Sequence, residues 1–288
     1  MTGIILDGRA CSEKIKQKVK SDVSKLNSEG VTPKLTTILI GDNPASKIYL
    51  KRKHQNCNEV GISSENLELP DNIPENQLLD IINKLNSDQN VNGILIQLPL
   101  PKQFSSFKII NQLSSLKDVD GLTSQNMGNL LYNQDSLISC TPKGVITLLQ
   151  SYNIDLSSKY TVIVGRSNLV GKPLQVLLTN LNSTVTLCHS KTQNLIQHTS
   201  KADLLISAVG NREQFTVTHS MVKENAIVVD VAINKIDNKL CGDVDFDSVI
   251  NKASYITPVP GGIGPMTVAS LLENTVIATK LQLKKTQS

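Results

Sequence analysis

At 288 residues the chain is long for one compact domain and comfortable for two, with enough length to bury a core in each. A net charge of +4, spread without a long block of like charge, and 3% aromatic residues with no Trp argue against a base-stacking platform for single-stranded nucleic acid. Cys11, Cys57, Cys140, Cys188 and Cys241 lie far apart, with no C-x-x-C pair and no His at zinc-ligand spacing, so they read as reduced structural thiols and no metal is expected.

The N-terminal "MTGIILDGRACSEKIKQKV" has too short an apolar run for a signal peptide, and no stretch approaches the ~20 apolar residues of a membrane span. A cytoplasmic protein without membrane contact is expected. "KLTTILIG" and "NGILIQLPL" are near-continuous apolar runs, as expected of strands buried on both faces; between them "SENLELP" reads as a further strand and "NQLLDIINKLN" carries a helical stripe. Near residue 140, "SCTPKGVITLLQSYNI" predicts a helix with Thr141 as N-cap, Pro142 at its first position and Asn153 near its end. Four strands follow at helix-length intervals, "YTVIVGRS", "STVTLCHS", "ADLLISAVG" and "AIVVDVAIN", and a last helix is predicted from Pro265. The fold class is therefore α/β, with two α/β domains. The first is expected over residues 1–140, completed by the C-terminal helix 265–288, and the second, Rossmann-like, over 141–264.

"SKIYLKRKHQ", Ser46 to Gln55, can be read in two ways. Lys47, Lys51, Arg52 and Lys53 suit a solvated basic face, yet Tyr49 and Lys53 stand four apart and so share one side of a helix. Asn43 as N-cap and Pro44 as first residue place that helix directly after a buried strand, where open α/β sheets hold their ligands. Gln97 at the end of "NGILIQ" and the loop "DVDG" (Asp118 to Gly121) could converge on the same rim. The four histidines, His54, His189, His198 and His219, are scattered and read as surface or core residues without chemistry.

After "YTVIVG", Gly165 ends a strand and Gly171 falls in the turn before a helix, a place where backbone N–H groups bind phosphate; an ordinary tight connection would look the same. NAD-binding units carry an acidic residue after the next strand, to accept from the ribose hydroxyls. Here that strand ends in Cys188, His189, Ser190, Lys191 and Thr192, with Arg166 in reach, so a 2′-phosphate is favoured and NADP is expected over NAD.

"ILDGRA", "GDNPASKIYLKRK", "GILIQLPLP", "KDVDG", "CTPKG", "VGRSNLVGKP", "HSKT", "SAVG" and "TPVPGGIGPMT" occur in this order along nearly the whole chain. On these motifs the sequence resembles the bifunctional methylenetetrahydrofolate dehydrogenase/cyclohydrolase family. The resemblance implies NADP-dependent oxidation of 5,10-methylenetetrahydrofolate to the methenyl cation and its hydrolysis to 10-formyltetrahydrofolate, in a cleft between two domains of a homodimer. It implies Lys53 as the key catalytic residue, Gln97 as its partner, Tyr49 as part of the folate site and Asp120 as the pterin anchor. It further implies Gly165, Arg166, Ser167, Ser190 and Ile233 at the cofactor, with Pro260, Gly261 and Gly262 on the folate side. The chemistry suits these types: a carboxylate accepts from the adjacent amino and ring N–H groups of a pterin, and Gln97 holds an amine or polarises an oxygen without adding charge beside a cation. Departures are Ala232, where relatives commonly have Gly, and the stretches 122–129 and 211–217.

The Tyr-x-x-x-Lys spacing of Tyr49 and Lys53 also fits short-chain dehydrogenases, but there the glycine-rich turn precedes the pair, whereas Gly165 follows it here. A monofunctional methylenetetrahydrofolate dehydrogenase would share both domains; Lys53 with Gln97 favours two activities. A nucleic-acid-binding helix is disfavoured because the four cations of residues 47–53 point several ways around a helix.

Overall fold

The computed structural model describes residues 2–237 and 239–287. The chain opens with a two-residue strand, β1 (Ile4–Ile5), and a long helix, α1 (Gly8–Ser28). It forms two compact units: a first of Lys14–Cys140 with Val268–Ser288, and a second of Met1–Glu13 with Thr141–Thr267.

In the first unit, β2 (Lys34–Ile40), α2 (Pro44–Val60), β3 (Ser63–Leu69), α3 (Glu75–Ser87) and β4 (Gly93–Ile96) alternate, followed by α4 (Ser106–Ile110) and α5 (Ser124–Leu131). The strands make a three-stranded parallel sheet in the order β3-β2-β4. The two-residue period of a strand divides the apolar runs between two cores. Leu35 and Leu95 face one, with Val19 and Val23 of α1, Cys57 and Val60 of α2, and Leu272 and Val276 of the C-terminal helix. Ile38, Ile40, Ile94 and Ile96 face the other, against Leu78 and Ile82 of α3 and Ile109 of α4. β3 is an edge strand with no fully buried residue, which accounts for its polar sequence. On the far side, a single parallel bridge from Ile94 to Asp118 brings the "DVDG" segment alongside β4.

The second unit continues through α6 (Cys140–Ser151), β5 (Tyr160–Val164), α7 (Gly171–Asn180), β6 (Thr184–Cys188), α8 (Leu195–Thr199), β7 (Leu204–Ser207) and β8 (Ile227–Asp230). A hairpin of β9 (Asn234–Ile236) and β10 (Lys239–Cys241) precedes α9 (Phe246–Val249), β11 (Tyr255–Ile256) and the final helix α10 (Ile263–Gln287). Its six-stranded sheet has the order β1-β11-β8-β7-β5-β6, every pair parallel. From β5 the chain moves outward to β6 and then returns to β7 on the opposite side of β5. That reversal opens a crevice at the carboxyl ends of β5 and β7, the usual ligand position in doubly wound sheets.

Three local expectations change. Ile4 pairs with Tyr255 and Ile5 with Ile256, so residues up to Glu13 group with the second unit, not with a domain spanning 1–140. Two residues carry no periodicity from which such a partner could be read. Thr141 lies inside the first turn of α6, its Oγ1 3.0 Å from Thr267 Oγ1, in place of the expected cap. The last helix begins two residues before Pro265, which then sits in the first turn, where its missing N–H costs nothing. Among the described residues, no helix is long and apolar enough to cross a membrane.

Candidate active site

Helix α2 forms where expected. The Asn43 side chain accepts from Ser46 N at 3.1 Å, Pro44 opens the first turn, and the helix stops at Gly61 with φ 84°. Lys47 pairs with Asp42 and Glu68 on the solvated side, while Lys53 points inward and is partly buried; Tyr49, one turn ahead of Lys53, is 43% exposed.

Gln97 follows the last residue of β4, its N–H held by Ile38 O at 2.9 Å. Its Nε2 donates to Leu98 O at 2.7 Å, which fixes the amide orientation and leaves Oε1 to accept from Lys53 Nζ at 3.0 Å. Burial of Lys53 lowers its pKa from the ordinary lysine value, only partly offset by the negative field of Asp120. Lys53, Gln97 and Asp120 therefore form one electrostatic group. Burial thus favours the neutral amine, the form able to accept a proton.

Asp120 is held by its neighbours in the loop. Asp118, 1% exposed, accepts from Thr123 N at 2.7 Å and Asn126 Nδ2 at 2.9 Å, and burial raises its pKa. Gly121 has φ 66°, and a Cβ there would meet the backbone of residues 137–139 at 2.6 Å, so only glycine lets the loop close this tightly. From α10, Asn274 Nδ2 reaches Val119 O and Ile138 O, each at 2.8 Å. The stretch 122–129 is mostly helix α5, capped by Thr123, whose side chain accepts from Asn126 N.

In the second unit, Gly165 adopts φ 126°, and a Cβ on it would lie 2.4 Å from Ala208 O; one on Gly171 would lie 1.9 Å from Gly165 O. The turn thus has room only for backbone. Arg166 and Ser167 are exposed at the end of β5, and Ser190 and Lys191 at the end of β6. Ser167 Oγ accepts from Val170 N at 3.1 Å, and the 189–192 turn is closed by His189 N donating to Thr192 Oγ1 at 2.9 Å. A glycine cradle ahead of a helix N-terminus, flanked by cations and hydroxyls, fits a dinucleotide with a 2′-phosphate. Ile233 is 46% exposed, with its Cδ1 beside Gly264 of the Gly-rich segment; Gly262 N–H returns to Pro258 O at 2.9 Å after the cis Val259–Pro260 bond. Ala232 is buried, its N–H on Asp230 Oδ1 at 3.1 Å. In the 211–217 stretch, Arg212 N donates to Asn234 Oδ1 at 3.1 Å, and Val217 bridges to Val244.

The structure brings Lys53, Gln97 and Asp120 together in the first unit, and Gly165, Arg166, Ser167, Ser190, Ile233 and Pro260 to Gly262 belong to the second. Sequence reasoning missed the supporting groups Asp118, Asn126 and Asn274. Asp118 sits inside a motif already quoted, whereas Asn274 lies 155 residues from the carbonyl it holds and leaves no local signal.

Residues 6–120 match the tetrahydrofolate dehydrogenase/cyclohydrolase catalytic domain, and residues 139–283 match the NAD(P)-binding domain of the same family. A curated relative, the bifunctional protein FolD of Nitrosopumilus maritimus, is 49% identical over 281 residues, 98% of each chain. The crystal structure of the bifunctional FolD methylenetetrahydrofolate dehydrogenase/cyclohydrolase of Campylobacter jejuni superposes with a TM-score of 0.94 at 48% identity, covering 96% of this chain and 99% of that one. The FolD enzyme of Trypanosoma brucei, solved with NADP and an inhibitor, gives 0.92 at 31% identity, covering 98% and 99%.

Proposed function

The chain belongs to the tetrahydrofolate dehydrogenase/cyclohydrolase family, and from that premise we propose how its side chains divide the work. The protein is a bifunctional enzyme that oxidises 5,10-methylenetetrahydrofolate with NADP and hydrolyses the resulting methenyl cation to 10-formyltetrahydrofolate. NADP, when bound, supplies the hydride acceptor. Gly165, Arg166, Ser167, Ser190 and Ile233 hold it. Asp120 accepts from the pterin edge, Tyr49 offers an aromatic face to a flat ligand, and Pro260, Gly261 and Gly262 line the folate side.

The observation that carries the assignment is the Lys53–Gln97 pair. Loss of hydride needs no protein base, but hydrolysis does: water adds to the methenyl carbon and gives up a proton, and the ring nitrogen gains one as its bond to that carbon breaks. Neutral Lys53 takes the first proton, its ammonium form returns one to the leaving nitrogen, and the proton remaining on the added oxygen leaves to solvent as the formyl C=O forms. Burial keeps the neutral amine accessible, and Gln97 positions it without contributing charge. An absorbance assay with methylenetetrahydrofolate and NADP, following NADPH and the methenyl compound separately, tests the two activities. NADPH must form and the methenyl compound must then be consumed for the reading to stand.

Two copies of the chain form a dimer in this reading, supported by exposed Ile236 and Leu240 on the β9–β10 hairpin, and light scattering measures it directly. Residence in the cytoplasm is supported by Cys11, Cys57, Cys140, Cys188 and Cys241 being thiols outside any disulfide, as expected in a reducing compartment.

A further inference from the structure

Asp243 follows the β9–β10 hairpin and is fully buried. Its Oδ2 accepts from the Ser207 hydroxyl at 2.8 Å and Val209 N–H at 2.9 Å, and its Oδ1 from Gly210 N–H at 3.1 Å and Asn234 Nδ2 at 3.2 Å. These donors come from two separate segments. Ser207, Val209 and Gly210 leave the carboxyl end of β7, and Asn234 lies just beyond β8. Both segments border the cofactor crevice: Ala208 is the residue against which Gly165 packs, and Ile233 directly precedes Asn234. A second carboxylate braces the same place, since Asp230 accepts from Ala232 N at 3.1 Å and Val244 N at 2.7 Å, and a Cβ on Gly242 would lie 1.9 Å from Asp230 Oδ2.

Backbone N–H groups aimed at one buried point need an acceptor there, and a carboxylate alone among side chains of this size takes four donors at once. We propose that Asp243 is a positioning residue for NADP: its carboxylate ties the loop after β7 to the segment after β8 and so holds Ala208 and Ile233 in place around the Gly165 turn. This rests on the assignment of Gly165 and Ile233 to the cofactor. Asp243 itself need not touch the dinucleotide.

Asp243→Asn turns an N–H group toward the N–H donors of residues 207–210. Titration calorimetry with NADP alone is expected to show a dissociation constant raised ~10-fold or more, with the KM for NADP rising in step. The KM for methylenetetrahydrofolate is expected to change less than ~2-fold, a split that general loosening of the fold would not give. Ser207→Ala, which keeps the carboxylate and removes one donor, is expected to shift the NADP constant the same way by ~3-fold. A folded Asp243→Asn protein that binds NADP like the wild type overturns the proposal, even if it melts at a lower temperature. If that variant does not fold, Ser207→Ala decides, and a wild-type constant there overturns it. Arg166→Gln serves as reference: weakening by it alone sinks only the role of Asp243, whereas no effect from either substitution sinks the cofactor site as well.

Discussion

Lys53 Nζ donates to Gln97 Oε1 at 3.0 Å, and the other half of that amide is already committed to Leu98 O at 2.7 Å. Gln97 therefore cannot turn a donor toward the amine, and Lys53 keeps its acceptor whether charged or neutral.

Replacing Lys53 by Met keeps the length of the side chain and removes the titrating nitrogen. Methenyl hydrolysis is expected to fall by ~10²-fold or more while oxidation remains measurable, so that methenyltetrahydrofolate accumulates. Stability should move the other way. Burial lowers the folded-state pKa of Lys53, so its charge opposes folding in full at pH values below that pKa, and the penalty fades as pH rises from there to the ordinary lysine value of 10.5. At neutral pH, Lys53→Met is expected to melt no lower than the wild type. A melting temperature well below wild type would show that the ammonium is a structural charge.

The pH profile of hydrolysis should rise as Lys53 loses its proton, with an inflection below the ordinary lysine value of 10.5. Because the charge of Asp120 favours protonated Lys53, Asp120→Asn is expected to move that inflection to lower pH. The same substitution offers the pterin one acceptor and one mismatched donor, so folate binding should weaken ~10-fold or more with NADP binding intact. An unmoved inflection with unchanged folate affinity removes Asp120 from the site.

At the other unit, Arg166→Gln is expected to weaken NADP by ~10-fold or more and NAD far less, since only the former carries a 2′-phosphate. Parallel calorimetric titrations measure both. Equal losses would mean that Arg166 contacts something the two nucleotides share.

Asn274→Leu leaves the carbonyls of Val119 and Ile138 without their buried donor. A loss of ~2–4 kcal/mol in unfolding free energy is expected from denaturant titration. Because Val119 adjoins Asp120, the KM for methylenetetrahydrofolate should rise as well. Unchanged stability would mean that the two carbonyls find another donor.

What was legible in the sequence is what local rules govern. Asn43 and Pro44 declared the start of α2, and four-residue spacing then put Tyr49 and Lys53 on one side. The apolar runs of β2 and β4 announced strands covered on both faces. The β9–β10 hairpin was hidden because each strand is three residues long, too short for a period to show. Asp243 gave no signal, since nothing near it reveals that the loop after β7 returns to meet it, and Asp230 read only as part of a strand. Their roles depend on contacts made after folding.

Strand β1 and the last helix have a consequence for how the protein is made. The second unit needs residues 4 and 5, which leave the ribosome long before their partners, whereas the core of the first unit needs Leu271, Leu272 and Val276, which follow all the rest of that core. Domains of a growing chain ordinarily fold in turn, amino-terminal first. Here residues 1–140 emerge with a strand whose partner, Tyr255–Ile256, does not yet exist and with a core that still lacks one wall. The second unit cannot close before Tyr255 and Ile256 emerge, nor the first before Val276, so a gene cut at residue 140 yields two fragments that each lack a piece held by the other.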